Sequence, residues 1–126
     1  MSSTYRDLRV WQLAMDFIEA VYRATNHFPR HELYGLTSQV QRASVSVASN
    51  IAEGKGRSTD RDFCAFLFRA RGSLLEAETQ IEIAKRLKYI SQEEMDRLLN
   101  MAAKVGSALT GLIHALEPRN AVVSSN

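Results

Sequence analysis

The segment Glu53–Thr59, with the sequence EGKGRST, combines residue types that bind phosphate in many proteins: two glycines around a lysine, then an arginine, a serine and a threonine. In a Walker loop, the pattern Gly-x-x-x-x-Gly-Lys-Ser/Thr lets backbone N–H groups surround the phosphates while the lysine reaches them. Here Ser49 stands where the first glycine belongs, and Gly56 directly follows Lys55. The preceding residues also favour helix over strand, so the pattern does not predict a nucleotide-binding loop.

Two other interpretations of this segment stay open. In the first, the segment is a helix end, where Gly54 or Gly56 takes the left-handed conformation and releases the chain into the next helix. In the second, Lys55, Arg57 and Arg61 form an anion site, because a helix N-terminus beside arginines attracts negative charge.

The sequence also lacks the residue patterns typical of metal sites and of catalytic groups. A di-iron bundle needs Glu-x-x-His pairs, and no glutamate here has a histidine three residues later. The histidines, His27, His31 and His114, are scattered, and Cys64 has no histidine near it in sequence. We therefore expect a protein that is not an enzyme and has no metal, cofactor or catalytic group.

The composition limits the class of protein. With 126 residues, 45% of them hydrophobic, and only two prolines and six glycines, the chain predicts one helical domain covering residues 1–126. The single cysteine, the lack of a charged and apolar leader and the lack of a long apolar run predict a cytoplasmic protein without a membrane segment. The formal net charge of +2 excludes no class of partner.

Apolar residues at three- and four-residue spacing predict an all-α, antiparallel up-down-up-down four-helix bundle. Ser58 or Thr59 is expected to cap the third helix, and Ser91 with Glu94 forms a capping box for the fourth. The predicted helices cover about 7–26, 33–55, 59–88 and 92–116, followed by a frayed, flexible tail at 119–126. One face of the first helix carries Leu8, Trp11, Met15, Ile18, Tyr22 and Thr25.

The second helix is ambiguous, because its stretch SVSVASN also alternates like a strand. Helix is favoured, since a lone strand would have no partner for its backbone groups. Small residues such as Ala43 and Ala48 make this helix thin enough for close packing, and Gly72 is expected to do the same for the third helix. Asn50 and Glu53 lie beside the apolar stripe, and with Gly54 and Gly56 they are interpreted as structural residues at the helix junction, ligand contact being the alternative.

The third helix has more apolar surface than one core needs. A face left exposed on a monomer predicts a contact between copies of the chain, and charges repeating every seven residues favour the same interpretation. The alternative is a solvated face of mixed charge. The predicted interface residues are Phe66, Phe68, Arg71, Leu75, Glu78 and Ile83.

Three stretches together resemble the bacterial family of 23S rRNA intervening-sequence proteins. They are YRDLRVWQLA at 5–14, FPRHELYGLTSQVQRASVSVASNIAEGKGR at 28–57 and FLFRARGSLLEAETQIEIAKRLKYI at 66–90. The resemblance implies a cytosolic four-helix bundle assembled as a ring-like homopentamer. It also implies a relation to the accessory proteins of diversity-generating retroelements, basic pentameric barrels that bind nucleic acid and a reverse transcriptase.

The functional hypothesis is a non-catalytic homo-oligomer that binds RNA or DNA, with a nucleic-acid-processing protein as a further partner. Residues 55–71 hold five basic and two acidic side chains, and symmetry would multiply this local excess. The alternative is a protein-interaction scaffold in which the arginines pair with Glu53, Glu76, Glu78 or Glu82. The candidate nucleic-acid contacts are Arg42, Lys55, Arg57, Arg61, Arg69 and Arg71.

Overall fold

The computed structural model describes residues 4–117, and this part of the chain is helical without any strand. The stretch SVSVASN lies inside a helix, which confirms the prediction made for it. The tail predicted at 119–126 lies outside the described residues. The helices are α1 (Arg9–Thr25), α2 (Leu36–Lys55), α3 (Asp60–Arg86) and α4 (Gln92–Leu116), with 3-10 turns at Tyr5–Asp7 and Arg30–Glu32.

The four helices surround one apolar core, as in a four-helix bundle. α1 packs on α2 and α4, and α3 packs on the same two helices, whereas between residues 4 and 117 the α1–α3 and α2–α4 pairs make no backbone contact. The α1/α2 edge and the α3/α4 edge are therefore on opposite sides of the molecule. None of these helices combines the length and hydropathy of a bilayer span. Large, almost fully buried side chains include Phe17, Ile51, Leu67, Leu74, Leu98 and Leu109.

The core face of α1 differs from the face predicted for this helix. Val10, Ala14 and Phe17 are buried, together with Val21 and Ala24 one and two turns later. These residues also follow three- and four-residue spacing, displaced by one position from the predicted set. The predicted face, apart from buried Thr25, consequently lies at the rim of the core.

Both early helices begin later than the predicted residues 7 and 33. Leu8 has an extended backbone and separates the first 3-10 turn from α1. Before α2, the Glu32 Oε1 atom accepts a hydrogen bond from the Leu36 backbone N–H at 3.0 Å, so a side chain four residues upstream caps the helix. Gly35 makes room for this carboxylate, because a Cβ at that position would lie 2.7 Å from Oε1.

The caps of the later helices follow the sequence signals. Thr59, rather than Ser58, caps α3, with its Oγ1 accepting from the Asp62 backbone N–H at 3.1 Å. At α4 the Ser91 hydroxyl accepts from the Glu94 N–H at 3.1 Å, which confirms the capping box. These bonds satisfy N–H groups that have no partner within the helix.

The glycines have roles other than those predicted. Within residues 4–117 no glycine has a positive φ, so the predicted left-handed release at Gly54 or Gly56 is wrong. Gly54 is a buried residue of α2 that packs against α3, and Gly56 has an ordinary φ of -78°. A Cβ at Gly72 would meet nothing within 4 Å, so the close packing predicted for this glycine is also wrong. Gly54 provides the close approach instead.

Candidate nucleic-acid interface

The basic residues at the α2–α3 junction are held by the two helix ends. Lys55 is the last residue of α2 and is half-buried, whereas Arg57 and Arg61 are exposed. The Arg57 backbone N–H donates to the Gly54 carbonyl at 3.0 Å, which fixes the turn. The junction therefore presents three cations within seven residues of sequence.

Phe66 brings two of the candidate arginines together. The guanidinium carbons of Arg57 and Arg69 are each 4.6 Å from the centroid of this ring, a distance at which cation–π attraction operates. Phe66 itself is only 8% exposed, because it packs against Gly54 of α2. The ring lies outside the main core cluster, beneath the two guanidiniums, and the predicted role of Phe66 in a contact between copies stays a prediction.

Within residues 4–117, the basic candidates have no acidic partners. Among residues 4–117, none of the six comes within 4.0 Å of a carboxylate oxygen. Glu53, the nearest acidic residue along the chain to Lys55, is exposed. The positive charge around the junction is consequently uncompensated by ion pairs in the described part of the protein.

The six candidates do not form a single cluster. Arg42 precedes Lys55 by almost four turns of α2, about 20 Å along the helix axis. Arg71 lies on another side of α3, where its guanidinium carbon is 4.8 Å from the centroid of Phe68. The structure thus separates Arg42 and Arg71 from the cations gathered at the junction.

A groove of about 550 Å³ runs between α3 and α4. Leu75 is 58% exposed beside it, and Phe68 and Ile83 are also exposed on α3. Burial raises the pKa of the Glu78 carboxyl, and the neighbouring Glu82 charge raises it further. Lining residues from the two helices include Arg71, Leu75, Glu78, Gly106, Ser107 and Gly111.

A second apolar groove, of about 380 Å³, lies at the opposite edge between α1 and α2. Trp11, Met15 and Ile18 line it from α1, and Val45 lines it from α2. The sequence analysis placed these α1 residues on one helical face but did not predict a groove there. A second apolar pattern in α1, formed by Val10, Ala14, Phe17, Val21 and Ala24, marks the face that packs in the core. This pattern is the sequence signal that distinguishes the two faces.

A partly buried polar seam joins α2 to α3. The Asn50 side-chain amide donates to the Ser46 carbonyl at 2.8 Å and to the Ser46 hydroxyl at 3.0 Å. The Ser46 and Ser73 hydroxyls are 2.9 Å apart and share a hydrogen bond. The Asn50 amide therefore binds within α2 and not to the junction backbone.

A further polar cluster, absent from the sequence prediction, links the segment before α2 to the α3–α4 connection. The Tyr89 hydroxyl donates to Glu32 Oε2 at 2.8 Å, and the His31 ring lies beside both groups. The Leu36 N–H and the Tyr89 hydroxyl lower the pKa of Glu32. No local sequence signal could have revealed this contact, since its partners are far apart in the chain.

Residues 4–117 contain no cluster of side chains that could bind a metal ion or activate a nucleophile. No three His, Cys, Asp or Glu side chains come together there as a metal site would require. Cys64 is buried, and burial raises the pKa of its thiol, with smaller contributions from the charges of Glu117 and Asp60. The reactive thiolate is therefore disfavoured.

A family model described as 23S rRNA-intervening sequence protein matches residues 6–111. The chain belongs to this family. One solved structure similar to this intervening-sequence protein is that of a protein with unknown function from the S23 ribosomal protein family of Bacteroides thetaiotaomicron VPI-5482. The TM-score is 0.74 and the identity 21%, over 82% of this chain and 97% of the other, so the likeness shows the fold alone. No curated protein matches the chain.

The match confirms the resemblance to intervening-sequence proteins drawn from the three sequence stretches. The relation to accessory proteins of diversity-generating retroelements stays a prediction. Because the similar structure belongs to a protein of unknown function, the role of this intervening-sequence protein has to be argued from its own surfaces.

Proposed function

We propose that this intervening-sequence protein is a non-catalytic, cytoplasmic homo-oligomer that binds RNA or DNA through basic side chains at the α2–α3 junction. The observation that carries the proposal is the set of basic residues there without a carboxylate within 4.0 Å in residues 4–117. Uncompensated arginine and lysine charge is the feature by which proteins bind the phosphate backbone. Symmetry would repeat this charge in every subunit.

A closed ring, with a pentamer as the expected size, is the proposed assembly. Exposed apolar side chains lie on two opposite edges, α1/α2 and α3/α4, so one edge of a subunit can pack on the other edge of the next. Head-to-tail contacts of this kind close into rings when the rotation permits. The contacts Gly54–Phe66 and Ser46–Ser73 run in opposite sequence directions, which supports the up-down-up-down topology within each subunit.

Sedimentation velocity tests the assembly. Leu75→Arg places a charge in the α3/α4 groove and is expected to yield monomers at micromolar concentration. Leu33→Arg is the matched control, because Leu33 is 54% exposed, against 58% for Leu75, but lies in the segment before α2. If the wild-type protein sedimented as a monomer, the proposed oligomeric state would be overturned.

Fluorescence anisotropy over a salt series tests the nucleic-acid binding. Labelled RNA, single-stranded DNA and duplex DNA of equal length are titrated with the wild-type protein. We expect an affinity that falls steeply as salt rises, since each neutralised phosphate releases counterions. Absence of binding at low salt, or affinity independent of salt, would contradict the proposal.

A protein-interaction scaffold without nucleic-acid binding is the second candidate, favoured by the position of Arg71 and Glu78 in the α3/α4 groove. In that case the arginine acts between subunits or toward a partner protein. Arg71→Glu would then dissociate the oligomer, and any nucleic-acid binding measured per subunit would be unchanged by the substitution. A variant that stays assembled but loses binding would argue for Arg71 as a phosphate contact.

A further inference from the structure

Two arginines from different parts of the chain share one aromatic ring at the α2–α3 junction. Arg57 comes from the connection and Arg69 from α3, and both guanidinium carbons lie 4.6 Å from the Phe66 centroid. Their charges are therefore separated by no more than twice that distance. Two like charges held so close, without a carboxylate within 4.0 Å in residues 4–117, attract an anion from outside the chain.

The contacts with Phe66 leave the N–H donors of both guanidiniums available. An aromatic ring attracts the flat face of the group, whereas the five N–H donors point outward in its plane. In residues 4–117 neither Arg57 nor Arg69 donates a side-chain hydrogen bond to another protein group. The two arginines are thus held beside the ring while their N–H donors stay open for binding.

The ring that positions the two arginines is itself fixed. Phe66 is buried, and Gly54 of α2 lies directly behind its Cβ. Side chains that are ordered before binding lose less conformational entropy when a ligand arrives. Phe66 therefore acts as a positioning residue, whereas the arginines make the contact.

We infer that Arg57 and Arg69, both held over Phe66, form a clamp for a phosphodiester group of a nucleic-acid backbone. A phosphodiester has two non-bridging oxygens, each of which can accept from a different guanidinium, and the nucleic-acid backbone presents these groups along its whole length. The clamp rests on the proposed nucleic-acid binding and identifies the two arginines that contact the phosphate. It requires the planar guanidinium, so positive charge alone is insufficient.

Charge-conserving variants test the clamp with labelled single-stranded RNA and the full-length protein. Arg57→Lys combined with Arg69→Lys keeps the charge but removes the planar forks, and is expected to weaken binding about tenfold at fixed salt. Phe66→Leu is expected to weaken binding in the same direction. Arg86→Lys, an exposed arginine elsewhere on α3, is the matched control and should bind like the wild type.

The outcomes separate the clamp from the broader proposal. Salt-dependent wild-type binding with an unchanged double-lysine variant would overturn the clamp and leave nucleic-acid binding standing. If the wild-type protein did not bind nucleic acid at all, the proposed function itself would be overturned. Circular dichroism and sedimentation check that the variants fold, and the double-lysine variant decides the matter if Phe66→Leu does not fold.

Competitors identify the source of the phosphate. We expect unlabelled RNA to displace the labelled RNA at far lower concentration than inorganic phosphate does. Equal competition by polyglutamate would overturn the preference for phosphate over carboxylate. Equal competition by vesicles of phosphatidylglycerol would overturn the assignment to a nucleic-acid backbone, because the same headgroup chemistry would then come from a lipid.

Discussion

A Cβ added to Gly54 would stand 2.7 Å from the Cβ of Phe66, closer than two such carbons can approach. The same atom would lie 2.9 Å from Cδ1 of Phe63. The contact joins the last turn of α2 to the second turn of α3, immediately behind the ring that carries Arg57 and Arg69. The glycine therefore fixes the spacing of the two helices where the cations gather.

Gly54→Ala is expected to destabilise the fold by about 1–3 kcal/mol, since the added methyl group must push apart packed atoms of α3. Gly56→Ala is the matched control on the other side of Lys55. Its nearest contact would be an ordinary 3.5 Å, and its φ suits any residue. Urea unfolding at one protein concentration measures both variants, and equal stability of the two would contradict the steric role of Gly54.

The Ser46–Ser73 hydrogen bond is expected to couple α2 and α3 by about 1 kcal/mol. Each serine is replaced by alanine, alone and together, and the free energies of unfolding are compared in a double-mutant cycle. Ser46→Ala should cost more than Ser73→Ala, because the Ser46 hydroxyl also accepts from Asn50. Strictly additive losses would show that the two hydroxyls do not interact.

Acid should loosen the link between Glu32 and its partners. The folded-state pKa of Glu32 lies below its ordinary value of 4.5, so the folded protein binds fewer protons than the unfolded chain. Its contribution to stability is complete above the ordinary value and is lost as pH falls through the folded-state pKa. Glu32→Gln should therefore flatten the acid limb of the stability curve, whereas Glu19→Gln, on exposed α1 surface, should leave it unchanged.

Removing the charge of Glu78 is expected to stabilise the protein at neutral pH. Its folded-state pKa is raised above 4.5, so the ionised carboxylate is disfavoured in the groove and the cost appears as pH rises. Glu78→Gln should raise the melting temperature at pH 7 but should not raise it at acidic pH. Glu76→Gln, an exposed neighbour, is the control, and a lower melting temperature for Glu78→Gln would indicate a basic partner from another chain.

The helical class of the protein and the cap residues could be predicted from sequence because they depend on neighbours three or four residues apart. Thr59 and Ser91 are examples of such local signals. The pairing of Glu32 with Tyr89 could not be predicted from sequence, since it depends on how two connections meet in space. Phe66 shows the same limit: it lies outside the main core cluster, and its burial depends on the contact with Gly54 and on the two arginines over its ring.

The side of the bundle that carries Arg57, Phe66 and Arg69 is formed by α2 and α3, between the two apolar edges proposed for self-association. If the proposed ring forms, a clamp there would stay open when neighbouring subunits pack, and every copy would contribute one. A nucleic acid held by one subunit would then meet the next clamp at high local concentration, so that modest single contacts would combine into avidity. Dissociated subunits would then bind poorly even with every arginine in place.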